Sequence, residues 1–342
     1  MKLPGMVDVH VHLRVPGGEH KEDFRTGSAA ALAGGITTLM AMPNTFPPIV
    51  TIKDFSIAQE TANRQSLCDV FMYAGASAEH LDQLNELAKL APALKLYMDQ
   101  TYGPLQVHGL DNLLAVFEGW PASKVICIHA EQTSIAAAIG ALSLVPRPIH
   151  FCHVSRKEEI ELIAAAKKQG LPVTCEVTPH HLFLTEEDAT RLGSLADMRP
   201  TLAEQRDVDA LWSHINTTID CIATDHAPHT LQEKQSETPP PGVPGLESSL
   251  PLMLTAAAQG RLSYERLVEL MHFNPRRIFS LPAQPETWVE IDPLARYQFP
   301  DYPLYTKCGW TPFAGFPMQG KIRKVIFKGR TVVNDGVVHF PN

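Results

Sequence analysis

The sequence predicts an α/β chain: a (β/α)8 TIM-type barrel with a small β appendage formed mainly by the C-terminal segment. Three observations carry that prediction. Eight short β-rich runs alternate with stretches of helical character. The runs span about 220 residues, near the usual size of such a barrel. From Trp288 onward the pattern changes to hairpin strands, with Asp335-Gly336 as the tight turn between the last two.

The strand runs, in order, are 6–13, 37–42, 68–75, 94–98, 125–129, 149–153, 173–177 and 219–224, each an apolar or alternating run between turn residues. Amphipathic or Ala-rich stretches at 21–34, 53–66, 81–90, 109–119, 156–169 and 204–214 supply helices between them. Residues 226–247, which include Pro239-Pro240-Pro241-Gly242, show no periodicity and predict a long loop after the eighth strand. In a barrel that loop lies beside the active-site face. Helices are expected at 248–260 and 264–271, with another starting at 274. The division is therefore 6–285 for the barrel and 286–342 for the appendage, with residues 1–5 contributing to the latter.

Composition narrows the function. At 44% hydrophobic and 19% charged residues the 342-residue chain has a globular balance, which excludes global disorder. A formal net charge of -8 argues against capture of nucleic acid or an acidic membrane surface, and favours a small-molecule partner. No run approaches the ~20 apolar residues of a bilayer span, and Met1–Gly5 holds no signal-peptide core. The six cysteines form no CxxC pair, so free thiols and a cytoplasmic setting are expected. The abrupt entry into MVDVHVHL suggests a domain cut from a longer polypeptide. Fifteen histidines hint at metal or proton chemistry.

The polar residues on the strands sharpen that hint. His10 and His12 share one face of the first strand by the period-2 pleat. Lys95 lies in LKLY, His129 ends VICIH, His153 ends IHFCH, and Asp225 follows CIAT. All would stand at the C-terminal mouth, where the catalytic groups of barrels collect. Burying four imidazoles, an amine and a carboxylate together without a cation would be costly. Divalent zinc resolves this, since imidazole and carboxylate ligate it and two ions can lower the pKa of a shared water. An ammonium cannot ligate, but reaction of neutral Lys95 with CO2 would give a bridging carbamate.

This order of ligands resembles the amidohydrolase superfamily. Together, DVHVHLRVPGG, AMPNT, LKLY, IHAE, CHVSRKEEI, CEVTPHHLFL and ATDHAPHT look like a dihydroorotase, most similar to the dihydroorotase domains of animal multifunctional (CAD-type) pyrimidine-synthesis proteins. The likeness runs from Pro4 to about Gly315. It implies that His10, His12, carbamylated Lys95 and Asp225 hold one zinc, and that Lys95, His129 and His153 hold a second. Asp225 would also shuttle the proton during reversible cyclisation of N-carbamoyl-L-aspartate to dihydroorotate. Cys152 and Glu176, with His10, match a third zinc site, although pleat parity points Cys152 away from His153. The resemblance assigns Arg14, Asn44 and His229 to the substrate carboxylate, which suits bidentate guanidinium recognition. It assigns Arg199 to another part of the substrate, and the backbone at Pro241 and Gly242 to its ring.

Residues 99–103 match the family's mobile loop, with Thr101 reaching the substrate and Tyr102 covering it where animal domains have Phe. His180-His181 is expected to cap the seventh strand or support the ligands. The family further implies a homodimer, and covalent linkage to carbamoyl-phosphate synthetase and aspartate transcarbamoylase units. The rivals are another cyclic-amide hydrolase (dihydropyrimidinase, hydantoinase or allantoinase) and a non-catalytic scaffold of the same fold. Arg14 and Asn44 disfavour the first, and the complete ligand set disfavours the second.

Overall fold

The computed structural model describes residues 1–101, 103 and 105–340. Each of the eight expected runs contains β structure. The parallel strands are β2 (Met6–Val11), β3 (Ile36–Ala41), β4 (Asp69–Met72), β5 (Ala74–Gly75), β6 (Leu94–Tyr97), β7 (Ile126–His129), β8 (Ile149–Phe151), β9 (Val173–Val177) and β10 (Cys221–Ile222). They form one sheet of order β2-β3-β4 and another of order β5-β6-β7-β8-β9-β10. Only Tyr73 separates β4 from β5; its N–H donates to Ala41 O (3.0 Å), and Ala74 N–H to Ala93 O (3.2 Å). At the other edge Val11 bridges His226 in parallel, and His12 N–H donates to His226 O (2.7 Å). Asp8 reinforces that seam, because its Oδ1 accepts from both His10 N–H and Thr224 N–H at 3.1 Å. Val9, Met40, Tyr73, Cys127 and Ala223, from five of the expected runs, share one buried cluster.

Several strands stop short of their expected ends. The first ends at Val11, the sixth at Phe151, and the eighth is only two residues long. The reason is visible in the backbone. Arg14, His153 and Asp225 have φ of 62°, 34° and 46°, left-handed values that no pleated strand continues through. Helices missed by periodicity fall into two kinds. Thr133–Ala141 is apolar on most positions, so no polar face marks it. Pro179–Phe183, Glu186–Leu192 and Leu231–Lys234 are too short to show a period. The last sits inside the expected loop and is closed by a capping box between Thr230 and Glu233.

The antiparallel sheet has the order β1 (Lys2–Pro4), β11 (Trp288–Phe299), β12 (Phe316–Phe327), β13 (Arg330–Asn334) and β14 (Val337–Val338). Residues 2–4 pair with 288–290, so the N-terminus does join the C-terminal strands. Asp335 and Gly336 turn the last hairpin with φ of 44° and 80°, as an Asp-Gly pair can. All six cysteines are free and buried, and among the described residues no helix is long and apolar enough to cross a membrane.

The segment ahead of β12 is pinned to the chain that follows β10. Buried Glu22 accepts from Thr306 Oγ1 and from Lys307 N–H (3.2 Å), and lies 3.3 Å from His226 Nε2. Trp310 Nε1–H donates to His229 O (2.7 Å). Removing a buried acceptor leaves its donors unpaired. Glu22→Ala is therefore expected to destabilise the protein by about 3 kcal/mol, read as a lower melting temperature. An unchanged melting temperature would show that the contact is dispensable.

Candidate active site

One cavity is lined by His10, His12, Arg14, Asn44, Thr101, His129, His153, Arg199, Asp225, Pro241 and Gly242, together with Tyr97 and Ala227. The eight chain segments that contribute these residues are brought together by the C-terminal ends of the parallel strands and the segments that follow them. His229 stands at the edge of the cavity, with its Nε2 3.0 Å from both an Arg14 guanidinium nitrogen and Pro241 O. Lys95, Cys152 and Glu176 are buried close to the lining residues. Tyr102 lies outside the described residues.

Two groups could hold a cation. His10, His12 and Asp225 offer ligand atoms within 4.8 Å of one another, and so do His10, Cys152 and Glu176. His10 belongs to both. Its Nε2 is 3.3 Å from Asp225 Oδ1 and its Nδ1 is 2.5 Å from Glu176 Oε1. His12 Nε2 is 3.0 Å from the same Asp225 oxygen, while its Nδ1 is 2.9 Å from Asn44 Oδ1. His129 Nδ1 and His153 Nε2 face each other at 2.7 Å. The parity expectation for Cys152 is corrected here. With the strand ended at Phe151 and His153 left-handed, the alternation no longer applies, and Cys152 Sγ lies 2.8 Å from Lys95 Nζ.

Electrostatics follow from this crowding. Burial opposes ionisation of Asp225, but the imidazoles of His10, His12 and His153 outweigh it and hold the carboxyl well below its ordinary range. Burial likewise opposes ionisation of Glu176, and His10 and His150 overcome it. Burial pushes His12 down to about 4 and His153 well below its ordinary value, so both are neutral with lone pairs available. The Cys152 thiol is driven well above its ordinary range by burial, in spite of Lys95.

The residues suit zinc and a modified lysine. Lys95 has no exposed surface, and its amine is hydrogen-bonded to a thiol, a poor partner for an ammonium. Among the described residues His153 Nδ1 is buried without a hydrogen bond, and His129 Nε2 has Glu131 Oε1 at 3.4 Å, outside hydrogen-bond geometry. Neutral imidazoles with open lone pairs, two ionised carboxylates and an amine needing conversion form a donor set for divalent metal.

Some contributors were not singled out from the sequence. Tyr97 lines the cavity with its hydroxyl unpaired, and its place two residues after Lys95 on one strand face was the available signal. His150 bonds Thr174 Oγ1 (2.8 Å) through Nδ1 and Glu176 Oε2 (3.2 Å) through Nε2, steering that carboxylate. Asp99 anchors the loop stem through Glu131 N–H (2.8 Å) and Ser134 Oγ (2.9 Å). His181 sits in the short helix after β9, bonded to Thr178 Oγ1 and Pro200 O, neither of which is a candidate ligand.

Comparison with known proteins is consistent with this geometry. The dihydro-orotase-like family model matches residues 1–112. A dihydroorotase of Pyrococcus abyssi is 34% identical over 98% of this chain and 84% of its own length. The chain belongs to the dihydroorotase family. The multifunctional protein CAD of Squalus acanthias is 47% identical over 100% of this chain, which spans 15% of that protein's length. Among solved structures, the L-hydantoinase (dihydropyrimidinase) of Arthrobacter aurescens matches with a TM-score of 0.95 at 26% identity, covering 99% of this chain and 87% of its own. The inactive dihydroorotase-like domain of a Chaetomium thermophilum CAD-like protein matches with a TM-score of 0.84 at 27% identity, covering 99% and 96%. The neighbours place this dihydroorotase-family chain among the amidohydrolases.

Burial also sets an acid limit on the metal-stripped protein. His12 and His181 are pushed down to about 4 and His229 to about 2, and His129, His153 and His180 are lowered as well, burial being the largest cause in each. Below the ordinary imidazole value of 6.5 the unfolded chain takes up protons that the fold refuses, so stability falls as pH falls. Asp8 and Glu247, raised by burial to about 7 and about 8, and Glu159, raised as well, act in the opposite sense, but they are three groups against seven imidazoles, since burial lowers His272 too. The melting temperature of the metal-free protein should drop steadily from pH 6.5 to about 4.5. A flat profile would mean that these imidazoles are already protonated in the fold.

Proposed function

We propose that the chain is a zinc-dependent dihydroorotase that catalyses the reversible cyclisation of N-carbamoyl-L-aspartate to L-dihydroorotate in pyrimidine synthesis. One observation carries the choice of substrate: Arg14, beside His229, and Asn44, on His12, make an anion-binding corner contiguous with the candidate metal ligands. A ring bearing a carboxylate fits that corner, because a carboxylate can take two parallel charge-assisted hydrogen bonds from a guanidinium, which the uncharged rings of hydantoin or dihydrouracil cannot offer in return.

In this reading His10, His12, Lys95 as carbamate and Asp225 hold one zinc, and Lys95, His129 and His153 hold a second. His10, Cys152 and Glu176 form a third site. Bound zinc supplies a water of lowered pKa and polarises a carbonyl. The chain supplies the rest. Asp225, kept ionised by its imidazole neighbours, accepts the proton of the attacking water and passes it to the ring nitrogen as the C–N bond breaks. In the biosynthetic direction it removes that nitrogen's proton. Arg14, Asn44 and His229 orient the carboxylate, while Thr101, Tyr102, Arg199 and the backbone at Pro241 and Gly242 enclose the ring.

The reading includes a closed (β/α)8 barrel over 6–285, with 286–342 as its β appendage. It also includes a cytoplasmic homodimer, linked covalently to carbamoyl-phosphate synthetase and aspartate transcarbamoylase units. The likeness to a hydantoinase supports the rival cyclic-amide activity, and the inactive Chaetomium domain supports a scaffold. The filled ligand set and the Arg14 corner favour the dihydroorotase.

Two tests bear on this. The purified protein should turn over dihydroorotate in preference to dihydrouracil, hydantoin and allantoin, and Arg14→Met should raise KM for dihydroorotate by about 100-fold, as loss of a charge-assisted pair would. Preference for an uncharged ring sinks the assignment. Lys95→Ala should lose zinc, measured by elemental analysis, and nearly all activity, with partial rescue by short carboxylic acids. Unchanged zinc content in that variant contradicts a bridging role.

A further inference from the structure

Lys234 has no exposed surface, yet among the described residues it makes no salt bridge. Its ammonium donates instead to three backbone carbonyls: Asp197 O (3.0 Å), Pro240 O (3.0 Å) and Gly242 O (3.1 Å). Burial lowers its pKa to about 8, so at neutral pH it still carries the three protons that three acceptors require. Burying a lysine without a carboxylate is costly, and a fold that keeps one uses its geometry.

The acceptors come from two separate segments, and both reach the cavity. Asp197 lies two residues before Arg199, and its carbonyl also accepts Gly242 N–H (2.8 Å). Pro240 and Gly242 flank Pro241, whose carbonyl is 3.0 Å from His229 Nε2. The turn is pressed tightly onto the chain after Asp225: Gly242 has φ +136°, and a Cβ there would lie 2.4 Å from Ala227 O. The Lys234 side chain bonds both segments at once.

We propose that Lys234 is a positioning residue for substrate binding, its ammonium tying the Asp197 carbonyl to those of Pro240 and Gly242 so that Arg199, Pro241 and Gly242 form one wall of the cavity. This rests on the dihydroorotase reading of that cavity. Lys234 touches no reacting atom and acts through the segments it joins. Loosening the wall weakens ground-state and transition-state binding alike, and so raises KM while leaving kcat in place.

The test compares wild type with Lys234→Met, which keeps an unbranched side chain one heavy atom shorter and removes all three donors. KM for dihydroorotate and for N-carbamoyl-L-aspartate should rise about tenfold, with kcat within about threefold of wild type and zinc content unchanged. An unchanged KM overturns the proposal, whether the variant is fully active or has lost kcat through a smaller active fraction. If the methionine variant does not fold, Lys234→Gln, which retains an amide donor, is judged by the same KM criterion. A wild-type enzyme active on dihydroorotate alongside an unchanged KM in the variant removes only the role of Lys234. A wild type inactive on dihydroorotate removes the substrate reading and this proposal with it.

Discussion

The site is governed by one constraint: ionisable groups are packed against each other where water cannot compensate them. Lys95 is fully buried with a thiol on its amine, and four imidazoles lie against the carboxylates of Asp225, Glu176 and Glu131. At low dielectric such a set is tolerated when each group is neutral, paired or bound to a cation. His12, His129 and His153 take the first course, being pushed towards neutrality by burial, and the carboxylates Asp225 and Glu176 take the second, each held ionised by neighbouring histidines. Among the described residues Lys95 makes no salt bridge, its amine meeting the Cys152 thiol and the Tyr97 ring instead, and that is the environment on which the proposed carbamate rests.

The same constraint explains the backbone around the mouth. Arg14, His153 and Asp225 turn left-handed at or just after strand ends, at a cost of about 1 kcal/mol or more each. Such turns persist only where surrounding bonds over-determine them. Those bonds are present. Asp8 clamps the seam between β2 and the chain entering Asp225; Glu22 and Trp310 fasten the segment after it to the loop between β11 and β12; and Lys234 fastens the 240–242 turn. That loop therefore contributes to the precision of a site it does not line.

What could be read from the sequence follows from how each feature is encoded. His10 and His12 were legible because strand periodicity is local, and all eight strand positions survived for the same reason. Cys152 was misjudged on parity because parity holds only while the pleat continues, and it ends one residue earlier, at Phe151. Lys234 gave no signal at all. Its three acceptors lie 6 to 37 residues away in carbonyls that no residue type announces. His150 was hidden too, since its value lies in reaching Glu176 across two strands. Chemistry carried by one side chain on a regular element is visible in a sequence. Chemistry assembled from irregular backbone is not.

Overall shape does not separate the candidate activities, since a hydantoinase superposes with a TM-score of 0.95. The decision falls on the corner made by Arg14 and His229, and there protonation is set by a neighbour. Buried Lys21 donates to His229 Nδ1 at 3.1 Å, and an ammonium has no lone pair with which to accept. The ring hydrogen must then sit on Nε2. Arg14, itself only a donor, cannot bond that N–H, whereas Pro241 O, at 3.0 Å, can. The corner thus offers two adjacent donors, a guanidinium and an imidazole N–H held in reserve by a backbone carbonyl. A carboxylate satisfies both at once, and an uncharged ring oxygen does so far less well. A net charge of -8 over the chain is no obstacle, because distant surface charges are screened by solvent whereas the guanidiniums of Arg14 and Arg199 line the cavity itself.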